Sequence, residues 1–158
     1  MTAPRETWQA LTASARRHDW SGEIVFGVDP VDVRAHAGGR MVYIASPGAT
    51  FDPGEFSGVE ADRHILIAQR AGGDLAAQGV CAVAPLALAS SYLEADPGLP
   101  INRARGRARW ASSLRNAAGV IWIPDVQGWA DCAEVLRDAD WAVQRGVPVL
   151  VQAIGVAP

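Results

Sequence analysis

Four short and almost wholly apolar runs, separated by stretches of helical periodicity, constrain the fold of this chain most. The runs cover residues 41–46, 80–84, 119–123 and 147–153, and the first three end directly before a proline. Helical patterns precede the last three runs, at residues 59–78, 103–118 and 130–145. Apolar strands joined through helices require right-handed crossovers and a sheet covered on both faces. We therefore predict an α/β fold with a short parallel sheet.

The first forty residues have a different pattern, and we interpret residues 1–40 as an N-terminal extension packed on a domain of residues 41–158. Pro4 is suited to a helix start, and Trp8 and Leu11 then fall on one helical face. An apolar stretch at residues 23–28 is a candidate edge strand. Residues 86–102 read as a long loop with one helical turn near its start.

Composition and charge exclude several classes of protein. The 158 residues are 49% hydrophobic with a net charge of −3, which suits one globular domain and gives no basis for binding a nucleic acid polymer or an anionic membrane. Cys81 and Cys132 are far apart and, with three scattered histidines, lack the spacing of a metal site. Apolar runs are too short for a membrane span, and the start has no signal-peptide pattern. We expect a cytoplasmic protein without metal or cofactor.

In a parallel α/β sheet, ligands bind beyond the carboxyl ends of the strands. That rule selects the loops at residues 46–58, 85–102 and 124–131. It also brings the start of the last helix to the ligand-binding edge, where Asp131, Glu134 and Asp138 lie along one side of the apolar stripe. On charge pattern alone, a solvated acidic edge favoured by the helix dipole is the better interpretation. The position of the helix is what favours a site.

Other patterns are weaker. The glycine-rich loop after the first strand has the composition of a phosphate cradle, but no Walker or dinucleotide-binding pattern accompanies it, and a plain turn explains it as well. The arginines at 103, 105, 107 and 109 spread around a helix, which favours a solvated surface. The tryptophans favour core or interface positions over stacking on a ligand.

Two segments together resemble the nucleoside 2-deoxyribosyltransferase superfamily and its small bacterial and phage members of unknown function. The first, Tyr43-Ile-Ala-Ser-Pro47, resembles the motif of that family's first strand. The second runs from Gly128-Trp129 through Cys132 and Glu134 to Asp138, and is similar to the family's Gly-Trp-x-x-Ser-x-Gly-x-x-x-Glu segment. The resemblance covers residues 41–151. It implies a flavodoxin-like three-layer sandwich with strand order 2-1-3-4, counted from the strand at residue 41.

The resemblance also implies chemistry at the anomeric carbon of a small nucleoside or nucleotide. The family's nucleophilic Glu corresponds to Asp138, which is one methylene shorter, and the Tyr that orients it corresponds to Tyr43. Cys132 replaces a phosphate-contacting Ser, and Glu134 replaces a Gly, which makes Glu134 a second candidate catalytic carboxylate. The expected substrate-binding residues are Ser46, Pro47, Gly48, Asp125, Gly128, Trp129 and Cys132.

Where the family carries Asp residues before the third strand, this chain has Ala111 and Ala118, so a group that would handle the proton of the base is missing. Two further hypotheses therefore stay open: a catalytically impaired module that binds a nucleotide, and an interaction protein whose tryptophans form an interface. For the enzyme we expect N-glycosidic hydrolysis or deoxyribosyl transfer. We also expect a homodimer or a higher homo-oligomer, because the family is oligomeric and six tryptophans are many for one small core.

Overall fold

The computed structural model of the chain describes residues 8–12, 24–48 and 59–153. The strands are β1 (Ile24–Phe26), β2 (Val42–Ile44), β3 (Ala82–Val83), β4 (Val120–Ile123) and β5 (Val149–Val151). The helices are α1 (Val33–Ala37), α2 (Val59–Ala77), α3 (Pro85–Ala95), α4 (Ala104–Asn116) and α5 (Ala133–Gln144). Short 3₁₀ turns at Pro30–Asp32, Pro100–Asn102 and Trp129–Asp131 precede α1, α4 and α5, and residues 8–12 are helical.

The five strands form one sheet in the order β1-β5-β4-β2-β3, and every neighbouring pair is parallel. The prediction of an α/β fold with a parallel sheet is confirmed, as is the edge strand within residues 23–28, since β1 pairs only with β5. A strand from the first forty residues thus belongs to the same sheet as the rest. The chain passes outward from β2 to β3 and returns across β2 to β4, so the direction of winding reverses between β2 and β4.

Alternation along the strands divides the core into two clusters, one on each face of the sheet. In β4, Ile121 and Ile123 belong to the cluster that α5 covers, while Val120 and Trp122 belong to the cluster that α1 and α2 cover. The stripe predicted for α5 is fully buried, namely Val135, Ala139, Ala142 and Val143. The sheet is therefore covered on both faces, which explains why its strands are apolar throughout.

The region after β3 differs from the predicted loop. It contains the eleven-residue helix α3, whose first residue is Pro85. Proline fits the first turn of a helix because that turn needs no backbone N–H from it, so here Pro85 begins a helix as well as ending a strand. Leu86 and Ala89 are buried. The loop prediction for residues 86–102 was wrong for this part.

The structure also corrects one arginine. Arg107 was expected on a solvated surface, yet only 2% of it is exposed. Its Nη1 donates to the carbonyls of Ile101 and Asn102, at 3.1 and 2.6 Å. These bonds attach the first turns of α4 to the preceding 3₁₀ turn. At the neighbouring Gly106, an added Cβ would lie 1.9 Å from the carbonyl oxygen of Pro100, so only glycine fits this contact.

Within the described residues, no helix has both the length and the apolar character needed to cross a membrane.

Candidate functional site

A cleft between α4 and α5 brings together the three residues predicted to be catalytic. Tyr43 of β2, Glu134 and Asp138 of α5 all line it. The cleft is small, with a cavity volume of about 40 Å³, which is below the roughly 300–1,000 Å³ typical of small-molecule sites. The remaining lining residues are Ala108, Ala111, Ser112 and Arg115 of α4 and Arg137 of α5.

The helical repeat explains why these residues face one another. On α4, positions 108, 111, 112 and 115 recur at intervals of three and four and therefore share one face, and positions 134, 137 and 138 do the same on α5. The α4 face begins with the small residues Ala108, Ala111 and Ser112, which leave space beside the longer side chains of α5. Ala111 is one of the two positions where the resembled family has Asp. Compared with an aspartate at this position, Ala111 takes up less space in the cleft and contributes no carboxylate.

Asp138 is held by an ion pair that the sequence reading missed. Arg115 Nη1 donates to Asp138 Oδ1 at 2.5 Å. Only 12% of the Arg115 side chain and 15% of the Asp138 side chain are exposed, so the pair is largely desolvated. A charge-assisted bond in such surroundings is among the stronger hydrogen bonds in a protein. Asp138 is therefore not the solvated carboxylate that charge pattern alone favoured.

Opposing effects act on the ionisation of Asp138. Burial raises the pKa of the Asp138 carboxyl above its usual value, while the bonds from Arg115 and the Tyr43 hydroxyl, and the charges of Arg115 and Arg137, lower it. Burial has the largest effect, and the net shift is upward. A carboxyl with a raised pKa in a cleft is typical of a functional site, although structural ion pairs also perturb pKa values.

Tyr43 keeps its proton near neutral pH. Burial raises the pKa of the Tyr43 hydroxyl well above 10, and the nearby Asp138 and Glu134 carboxylates raise it further. The hydroxyl is therefore a permanent donor to Asp138. It comes from the sheet, whereas Arg115 comes from a helix, so the Asp138 carboxylate is bound by two elements besides its own.

An aromatic side chain lies on the other side of Arg115. The guanidinium carbon of Arg115 is 5.0 Å from the ring centroid of Trp141, one turn beyond Asp138 on α5, and that of Arg145 is 4.9 Å from the same centroid. Both distances are within the range of a cation–π interaction.

Cys132 stands directly before the first residue of α5. Burial raises the pKa of its thiol, and the charges of Glu134 and Asp138 add to this, while backbone N–H groups of Val135 and Glu134 lower it. The thiol is therefore protonated near neutral pH and is a weak hydrogen-bonding group.

The other predicted binding residues lie outside this cleft. Asp125 lines a separate pocket together with Trp122 and residues of α2, on the opposite face of the sheet, and its backbone N–H donates to Gln152 Oε1 at 3.0 Å. Asp125, which was expected to bind the substrate, therefore does not share a pocket with Asp138.

Ser46, Pro47 and Gly48 follow β2 at the carboxyl edge of the sheet. Ser46 and Pro47 are buried, and Gly48 has a φ of 104°. Residues 49–58 of the same predicted loop lie outside the described part of the chain. Gly128 has a φ of 85°, and Trp129 is 6% exposed. Trp129 packs edge-on against Trp8 with the ring centroids 5.2 Å apart, so its indole belongs to the core.

The described residues contain no cluster of three or more histidine, cysteine or acidic side chains placed to hold a metal ion. Compared with protein-family models, with curated proteins and with solved structures, the chain matches none. The features that bear on function are therefore the cleft and the motifs that line it.

Sequence reasoning missed Arg115 and Trp141, which complete the surroundings of Asp138. The available signal was modest. Leu114-Arg115 stands at the end of a helix whose partner helix carries the acidic edge, and an arginine there can reach a carboxylate on the neighbouring helix. Finding the pair required knowing that α4 and α5 lie side by side on the same face of the sheet.

Proposed function

We propose that the chain acts on the N-glycosidic bond of a small nucleoside or nucleotide, as a hydrolase or deoxyribosyl transferase, with Asp138 as the nucleophile. The observation that carries the proposal is the meeting of Asp138 and Tyr43 in one cleft, because these are the two positions that the resemblance assigns to the nucleophile and to the residue orienting it. The strand order around β2 supports a flavodoxin-like arrangement.

The chemistry is a double displacement. An Asp138 oxygen attacks the anomeric carbon, the bond from that carbon to the base nitrogen breaks, and the base leaves with the bonding electron pair and takes up a proton. Water or a second base then attacks the anomeric carbon, which releases the Asp138 carboxylate. Glu134 is the second carboxyl group in the cleft and the candidate to supply and recover the proton.

Charge and hydrogen bonding suit Asp138 to this role. The Arg115 bond and the Tyr43 hydroxyl stabilise the ionised form that attacks. They also fix the direction of the carboxylate, which matters because a misplaced nucleophile loses much of its rate. Ala111 and the small residues beside it line the cleft next to Asp138.

The test measures release of free base from a panel of nucleosides and nucleoside monophosphates, followed chromatographically. We expect Asp138→Ala to abolish release and Asp138→Glu to retain it, because the longer side chain matches the reach of the family's nucleophile. Asp140→Ala is the matched control, since Asp140 is exposed on the same helix and bonds only to Gln144 among the described residues. Release that survives Asp138→Ala would remove Asp138 from the mechanism and make Glu134 the next candidate.

One observation favours a second function, a module that binds a nucleoside or nucleotide without cleaving it. Ala111 and Ala118 both replace carboxylates of the resembled family, and an Asp138 oxygen is engaged by Arg115. Binding of a nucleoside or a monophosphate measured by calorimetry, with no base released on prolonged incubation, would support this function. The partner in either case is a small molecule, and we propose that the chain assembles as a homodimer or higher homo-oligomer.

A further inference from the structure

Trp141 has no part in the proposed chemistry, but it contacts Arg115, which forms the ion pair with the proposed nucleophile Asp138. Trp141 is partly buried on α5. It is three residues after Asp138, so both side chains emerge on the same side of the helix. Arg115 reaches across from α4 and contacts both of them.

The Arg115 guanidinium has few other restraints. Its Nη1 bonds to Asp138, and its Nε is buried and makes no hydrogen bond to the described residues. A guanidinium held by one ion pair alone can rotate away from its partner. The Trp141 ring supplies a second contact, since a planar cation packed on an indole face is favoured both by the quadrupole of the ring and by dispersion.

We propose that Trp141 is a positioning residue for the cleft, whose indole face holds the Arg115 guanidinium against Asp138. Trp141 touches neither the sugar nor the base in this account. It acts through Arg115, and Arg115 acts on Asp138. Arg145 lies on the same ring but does not line the cleft, so it has no direct part in this arrangement.

The consequence is a change in the ionisation of Asp138 when the ring is removed. The groups that face the carboxylate are Tyr43 from β2, Arg115 from α4, and Glu134 and Arg137 from α5. Of these, Arg115 stabilises the ionised form most. A ring that no longer holds Arg115 therefore leaves Asp138 easier to protonate, and the midpoint of its titration moves to higher pH.

The first experiment follows the ¹³C resonance of the Asp138 carboxyl in an NMR titration of the full chain and does not depend on the proposed function. We expect Trp141→Leu to move the midpoint to higher pH and Trp141→Phe to restore it, because phenylalanine keeps an aromatic face. Arg145→Ala and Trp110→Leu are the controls. The first removes the other cation from the ring, and the second removes a tryptophan that pairs with Tyr92 away from Asp138, so neither should shift the midpoint.

The second experiment measures kcat/KM for base release against pH and rests on the proposed function. A cation–π contact of this kind corresponds to about a two- to fivefold change in the population of the held state. In Trp141→Leu we therefore expect kcat/KM to fall about two- to fivefold on the acid side of the profile, with little change above neutral pH. If no nucleoside is cleaved, the proposed function fails while the NMR result still decides the role of Trp141.

Three results would overturn the proposal. One is an unchanged Asp138 midpoint in Trp141→Leu, and another is a Trp141→Phe variant that shifts as far as the leucine variant. If the leucine variant does not fold, the wild-type Hε proton of Arg115 decides, since a guanidinium over an indole face has its resonance moved upfield by the ring current. The absence of that upfield shift would refute the contact.

Discussion

Replacing Arg115 with alanine should reveal how strongly the cleft depends on its ion pair. The change removes the cation from a carboxylate that is only 15% exposed. Breaking a fully buried pair in this way costs about 3–5 kcal/mol. Here both partners keep some contact with water, and Tyr43 and Arg137 still act on Asp138. We therefore expect the free energy of unfolding to fall by about 2 kcal/mol at pH 8.

The loss should depend on pH. The folded-state pKa of Asp138 is raised in the wild type, so the folded chain already takes up a proton more readily than the unfolded chain. The stability associated with this group is present at low pH and is lost as pH rises through the folded-state pKa. Removing Arg115 raises that pKa further. The cost of Arg115→Ala should therefore be greatest at pH 8 and should become smaller as the pH falls through the folded-state pKa of Asp138, because a protonated carboxyl has no charge for Arg115 to compensate.

Urea unfolding followed by tryptophan fluorescence at pH 4, 6 and 8 measures this directly. Arg109→Ala is the control, since Arg109 is exposed on the same helix and its removal should change stability by less than about 0.5 kcal/mol. The double variant Arg115→Leu with Asp138→Leu should recover much of the loss, because no uncompensated charge stays buried. A cost for Arg115→Ala that is equal at all three pH values, or no larger than that of the control, would refute the reasoning.

Three further predictions concern other parts of the structure. Tyr43→Phe should lower stability by about 1 kcal/mol through loss of a hydrogen bond and move the Asp138 midpoint to higher pH in an NMR titration; an unmoved midpoint would mean that the hydroxyl does not act on Asp138. Gly106→Ala should lower the melting temperature strongly, since its Cβ would lie 1.9 Å from the Pro100 carbonyl oxygen. Gly73→Ala in α2, where a Cβ meets nothing within 4 Å, should instead stabilise the fold by about 0.5–1 kcal/mol. Equal effects of the two substitutions in calorimetry would contradict the close contact at Gly106. Light scattering at micromolar protein should give at least a dimer mass, and a monomer mass would end the proposal of a homo-oligomer.

The sequence allowed the layout of the fold to be predicted because its strands are short apolar runs with clear ends. Hydrophobic pattern and proline placement identify β2 and β4, and the buried stripe of α5 follows from its helical period. The same reasoning wrongly predicted a loop where α3 lies. A proline after a strand can end that strand and can also occupy the first turn of a helix, and Pro85 does the latter. The burial of Arg107 could not be predicted either, because four arginines at alternate positions give no sign of which one packs inward. Arg107 is buried, whereas the arginines at 103, 105 and 109 are exposed.

The site was predictable only in part. Tyr43, Glu134 and Asp138 were singled out from motifs, and the structure brings them into one cleft. Their motifs lie about ninety positions apart in the sequence, and only the parallel pairing of β2 with β4 and the packing of α5 across them bring them together. Arg115 and Trp141 were not predicted, because they act through contacts between two helices. A local sequence pattern does not predict which residues of two helices meet.

The central claim is that Asp138 bonds to the sugar during turnover, and rapid acid quenching followed by mass spectrometry tests it most directly. A chain mixed with a cleavable nucleoside and quenched during turnover should carry the added mass of one sugar residue, and a proteolytic digest should locate it on the α5 peptide at Asp138. Asp138→Ala should show no adduct, while Asp140→Ala should show it as in the wild type. Turnover by the wild type without any sugar on α5, or with the sugar on Glu134, would contradict the account.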